Sequence, residues 1–103
     1  MLTFGAQELR IDPGECVLLG TVPEADLRLD RPHVSRSHLR ILRRERYFVA
    51  IDHSTNGTFL QTEDRAVTHF KRAEQRLWGR GWLSLGEALS EASAIRFQVL
   101  EGP

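Results

Sequence analysis

A single cysteine, Cys16, occurs in the 103 residues, so no disulfide can close within the chain. Cys16 precedes the strand-like run "VLLG" and reads as a small buried hydrophobe. Without staples the fold must rest on its core. A chain of this length buries roughly two thirds of its unfolded surface and matches a single domain, taken here as 1–103. No apolar run approaches the ~20 residues of a membrane span. The first residues, "MLTFGAQEL", lack the apolar stretch of a secretory signal. A cytoplasmic location is the resulting expectation. Charge of one sign is also missing: 14 basic residues face 14 acidic ones. Nothing in that balance draws the molecule towards nucleic acid or an anionic membrane, and neither is expected as a partner. Any electrostatic function must be local.

Catalytic and metal signatures are absent too. Ser35, His38 and Asp52 are the residue types of a hydrolytic triad, but no G-x-S-x-G elbow surrounds Ser35. His33, His38, His53 and His69 follow no ligand spacing, and no C-x-x-C or H-x-x-x-H occurs. The chain is therefore read as a non-enzyme without metal or cofactor. Asn56-Gly57-Thr58 matches a glycosylation sequon, but with no secretory signal it reads as a turn. Arg40, Arg43, Arg44 and Arg46 form a basic run that Glu45 interrupts, a weak basis for nucleic-acid binding.

What the chain has is a series of short alternating segments. "LTF" and "ELRI" flank "GAQ", a hairpin connection, and "ECVLLG" follows the turn signal "DPG". In "HLRIL", Leu39 and Ile41 share one face. In "AIRFQVL", Ile95, Phe97 and Val99 point one way while Arg96 and Gln98 point the other. "YFVAI" is apolar throughout and suits a strand buried on both faces. Strands at this spacing predict an antiparallel β-sandwich or barrel. Residues 63–78 are the exception. Val67, Phe70, Ala73 and Leu77 sit at loose helical spacing, so the segment reads as one long loop or a short helix. Phe70, Trp78 and Trp82 lie in or near it, as core or as a docking patch.

Two polar clusters interrupt the strands: "HVSRSHL" from His33 and "STNGT" from Ser54. Each makes an ordinary turn. Together they also bring hydroxyls, an amide, loop N–H groups and a cation, the donors that a phosphate monoester needs. Loops at one end of a sandwich gather such groups from distant positions.

With these clusters in place, the pattern "LLG…DLRLD…VSRSHLRI…VAIDHSTNGTFL…WLSLG…IRF" resembles a forkhead-associated (FHA) domain across nearly the whole chain. The resemblance rests on Gly20, then Ser35-Arg36-Ser37-His38, then Ser54-Thr55-Asn56-Gly57-Thr58. It implies an FHA/SMAD-like sandwich of about eleven strands whose end loops bind a phosphothreonine peptide. In that frame Ser35 donates to the phosphate with Arg36 beside it, Thr55 lines the pocket, and Asn56 fixes the peptide backbone. His38 ties the two loops together. Gly20, Asp52, Ser54, Gly57 and Thr58 shape and brace them.

The chain departs from that family at one telling place. Where the family carries Arg after the first motif Gly, as its main cation on the phosphate, this sequence has Thr21. Losing a charge-assisted fork of about 1.5–3 kcal/mol implies roughly 10- to 100-fold weaker binding. Arg31 and Arg36 are the candidate substitutes, while Arg28, between Leu27 and Leu29, reads as facing solvent. Gln61 stands where the family tends to have Asn, and the Gln61–Arg80 stretch is longer than usual. The alternative implied by Thr21 is a phospho-independent protein-interaction domain on the same scaffold.

Overall fold

The computed structural model describes residues 2–4, 7–63 and 66–99. Among them are eleven strands and no helix. The strands are β1 (Leu2–Phe4), β2 (Gln7–Leu9), β3 (Cys16–Gly20), β4 (Leu27–Arg28), β5 (Leu39–Arg44), β6 (Tyr47–Asp52), β7 (Thr58–Thr62), β8 (Thr68–Phe70), β9 (Glu74–Leu77), β10 (Arg80–Leu85) and β11 (Ile95–Val99).

They form two sheets, ordered β2-β1-β11-β10-β7-β8 and β4-β3-β5-β6-β9. Every pairing is antiparallel except β3 with β4, which run parallel for two residues. The residues joining β1 to β2, Gly5 and Ala6, lie outside the described residues, but the strands pair as a hairpin, with Phe4 opposite Gln7.

Alternation explains the core. Leu39 and Ile41 of β5 and Phe97 of β11 have no exposed surface, whereas Arg96 and Gln98 are exposed. Leu2, Leu19, Leu77 and Leu83 close the same space from both sheets. Each such side chain contributes about 1.5–3 kcal/mol relative to its exposed state. Phe48, Val49 and Ala50 of β6 are buried in succession, as a strand covered on both faces requires.

The structure corrects two expectations. Cys16 is exposed rather than buried. Val17 and Leu19 turn to the core, so the two-residue period of β3 sends Cys16 outward.

The described residues of 63–78 form neither one long loop nor a short helix. Described residues of this segment build β8 on one sheet and β9 on the other. Asp64 and Arg65 lie outside the described residues. The helical spacing does not correspond to one face: Phe70 and Leu77 are buried, but Val67 is 48% exposed and Ala73 is exposed. Backbone pairing to β7 and β6 decides the conformation instead. Arg72, with φ 52°, turns the chain from one sheet to the other.

The aromatics of this region are also divided. Phe70 belongs to the core, Trp82 is half-buried and Trp78 is exposed.

A candidate phosphopeptide-binding end of the sandwich

Loops from both sheets meet at one end. Gly20 sits at the end of β3 with no room for a side chain, because a Cβ there would overlap the Arg36 carbonyl. That close approach lets the Thr21 N–H donate to the Ser35 carbonyl (3.2 Å) and the Val22 N–H to the Arg36 carbonyl (3.4 Å). The Ser35 turn is thus clamped beside the Gly20-Thr21 turn.

His38 joins this turn to the next loop. The Ser35 N–H donates to His38 Nδ1 at 3.0 Å, so the ring proton sits on Nε2 and donates to the Gly57 carbonyl at 2.8 Å. The ring has no exposed surface. Burial holds its pKa below the ordinary 6.5, although the Gly57 carbonyl and the Asp52 charge pull the other way.

Asp52 organises the β6–β7 loop from below. Its Oδ1 accepts the Ser54 N–H (2.9 Å) and the Arg72 N–H (3.0 Å), and its Oδ2 accepts the Thr58 hydroxyl (2.6 Å). The Ser54 hydroxyl reaches both oxygens at 2.9 Å and accepts the Gly57 N–H at 2.7 Å. Burial alone would raise the Asp52 pKa. The donors from Arg72, Thr58 and Ser54 outweigh it and hold the carboxyl below its ordinary 3.8.

On this base the exposed residues are displayed. The Thr55 N–H donates to Ser35 Oγ at 3.2 Å, which draws the two polar clusters together. Ser35 Oγ uses only its lone pairs in that bond, and among the described residues its own proton has no acceptor. The Asn56 side chain donates to the His33 carbonyl at 3.3 Å and is exposed, as are Thr55 and Arg36. His69 stacks on Phe59, ring centroids 4.1 Å apart, and meets the Asn56 carbonyl through Nε2 at 3.2 Å. Gly57 has φ +85°, and a Cβ there would overlap His69.

The sequence candidates divide on this map. Ser35, Arg36, Thr55, Asn56 and Thr21 gather at one end, and Gly20, His38, Asp52, Ser54, Gly57 and Thr58 frame them. Arg31 is turned aside: its Nη1 donates to the Ser93 carbonyl at 3.3 Å, on the β10–β11 connection. The triad reading fails on geometry, because His38 meets the Ser35 backbone N–H and not its hydroxyl. No group of three or more metal-ligating side chains occurs among the described residues. Two arginines of the basic run are engaged internally: Arg43 donates to the Ile11 carbonyl (3.0 Å), and Arg44 pairs with Glu74 (2.8 Å).

Sequence reading missed His69 as a loop partner and Arg72 as a donor to Asp52. Both depend on β8 and β9, whose pairing is non-local. No local signal marks either residue.

A family model of the FHA domain matches residues 17–75, more than half of the chain. The chain belongs to the FHA family. No curated protein matches it in sequence. Among solved structures it resembles the FhaA FHA domain complexed with the intracellular domain of Rv3910, at 25% identity and TM-score 0.66, covering 94% of this chain and 97% of that one. It resembles the first FHA domain of Mycobacterium tuberculosis Rv1747 at 24% identity and TM-score 0.66, covering 94% and 91%. The N-terminal FHA domain of Saccharomyces cerevisiae Rad53p, solved with a phosphothreonine peptide, matches at 23% identity and TM-score 0.65, covering 85% and 68%. These likenesses agree with the two-sheet sandwich. The matched span of this FHA domain holds Gly20, both polar clusters and the Asp52 brace. No helix of the described residues is long and apolar enough to cross a membrane.

Proposed function

We propose that residues 1–103 form one FHA domain that binds phosphothreonine-containing proteins or peptides, as a signalling interaction module without catalysis. The observation that carries this is the bond from the Thr55 N–H to Ser35 Oγ. It brings the two polar clusters into one surface and leaves the Ser35 hydroxyl proton free to turn to an external acceptor. In this reading Ser35 donates to the phosphate and Arg36 neutralises it. Thr21 adds a hydroxyl and Thr55 flanks the phosphothreonine methyl. Asn56 exchanges its His33 bond for the peptide backbone. Arg31 stays on Ser93 and contributes to loop shape. The cytoplasm is the compartment where such a module would meet phosphorylated partners.

A second reading follows from Thr21, which brings no charge: a phospho-independent protein partner on the same surface. Titration with a degenerate library centred on phosphothreonine, beside its unphosphorylated counterpart, separates the two. Phosphate-dependent binding that Ser35→Ala abolishes is the expected result. Equal binding of both libraries favours the second reading and overturns the first.

A further inference from the structure

Thr21 brings no charge to the polar end of the sandwich, but a guanidinium lies beside it from a different strand. Arg28 pairs in register with Gly20 across the parallel β3–β4 contact. Registered partners on parallel strands project to the same face. On that face the Ser35–Arg36 backbone fills the space above Gly20. Leu27 and Leu29, the neighbours of Arg28, pack against the core instead. The Arg28 side chain therefore rises on the side where the Ser35 turn sits.

Its position is held. Arg28 Nε donates to the Thr21 carbonyl at 2.9 Å, which anchors the fork on the residue that lacks a charge. Among the described residues, no hydrogen bond or ion pair engages either Nη group. Asp26, two residues before it, turns its Oδ2 to the Leu18 N–H at 2.7 Å. An exposed guanidinium anchored at one nitrogen loses less freedom when it takes an anion than a free one does.

Resting on the phosphothreonine reading above, we infer that Arg28 supplies the phosphate-binding cation that Thr21 does not. The dianionic phosphate is held between two arginines, Arg28 from β4 and Arg36 from the Ser35 turn, with the Ser35 hydroxyl between them. Thr21 serves as the backbone seat of Arg28.

The experiment compares affinities for a degenerate phosphothreonine library, measured at low and physiological salt, across five proteins: wild type, Arg28→Gln, Arg28→Lys, Thr21→Arg/Arg28→Gln and Ser35→Ala. Arg28→Gln should bind roughly 10- to 100-fold more weakly, with a shallower salt dependence. Arg28→Lys should fall between, keeping charge without the fork. Thr21→Arg in the Arg28→Gln background should restore binding, an effect that loss of structure would not give. Thermal melts of wild type and Arg28→Gln should coincide within a few degrees. If Arg28→Gln binds like wild type while Ser35→Ala fails, Arg28 is not the cation and the phosphothreonine reading stands. If Arg28→Gln loses binding together with several degrees of melting temperature and Thr21→Arg does not rescue it, the role is structural and the inference falls. If wild type does not distinguish the phosphorylated library, the phosphothreonine reading falls, and the inference about Arg28 falls with it.

Discussion

Replacing Asp52 tests the whole frame beneath the polar loops. Its carboxylate accepts from the Ser54 N–H, the Arg72 N–H, the Thr58 hydroxyl and the Ser54 hydroxyl, with no exposed surface on the side chain. Hydrogen bonds to a charged group contribute about 1.5–3 kcal/mol each, but donors sharing one carboxylate are not additive. Asp52→Asn keeps Oδ1, and with it both backbone donors. It replaces Oδ2 with an amide that faces two hydroxyls, which must turn to accept. A loss of about 2 kcal/mol is expected. Asp52→Ala strands every donor in a dry site and should lose about 3–5 kcal/mol. Against a total of roughly 5–15 kcal/mol, the first variant folds and the second is marginal.

Urea unfolding followed by Trp78 and Trp82 fluorescence reads both. At about 1–3 kcal/mol/M, the Asp52→Asn midpoint should fall by about 1 M. Thr58→Val supplies the control: its cost should shrink in the Asp52→Asn background, because the 2.6 Å charge-assisted bond it removes is already replaced there by a weaker one to a neutral amide. If Asp52→Asn lies within about 0.5 kcal/mol of wild type, or if Thr58→Val costs the same in both backgrounds, the carboxylate is not what holds the loop.

Gly57→Ala should destabilise by about 1–3 kcal/mol and weaken peptide binding, since φ +85° and the overlap with His69 both oppose a side chain. A melting temperature equal to wild type would refute this. Acid should act on the same frame in two stages. The depressed His38 pKa means that the unfolded state takes up protons first below 6.5, so stability falls as pH drops from there. The depressed Asp52 pKa adds a second loss below 3.8. Urea midpoints that rise between pH 7.5 and pH 5.5 would contradict the His38 contribution.

Much of the architecture is legible locally. β5 and β11 announce themselves because Leu39, Ile41 and Phe97 alternate cleanly with arginine and glutamine. The polar clusters are legible because their turn chemistry is local. The bonds that join them run from the Thr55 N–H to Ser35 Oγ and from His38 Nε2 to the Gly57 carbonyl. What escapes local reading is decided by strand pairing at long range. Thr68–Phe70 becomes a strand only because β7 offers it an edge, and Glu74–Leu77 only because β6 does. His69 and Arg72 acquire their partners through those pairings. Cys16 escapes for a simpler reason: its inward or outward direction depends on the parity set by Leu19, three residues on. The sequence favours Arg31 over Arg28 as a phosphate ligand, because nothing local reveals that the Ser93 carbonyl takes the Arg31 guanidinium and the Thr21 carbonyl takes that of Arg28.

The position of β11 bears on how the chain is made. It is the last described strand, yet it lies between β1 and β10 in the interior of its sheet, and Phe97 is fully buried. On a ribosome, β1 and β2 are made before the strand that joins them to their sheet, and they wait until Ile95–Val99 has emerged. Long-range closure of this kind folds slowly and leaves strand edges open meanwhile. Deleting the chain from Ile95 onward would therefore remove the seam of one sheet and not its margin.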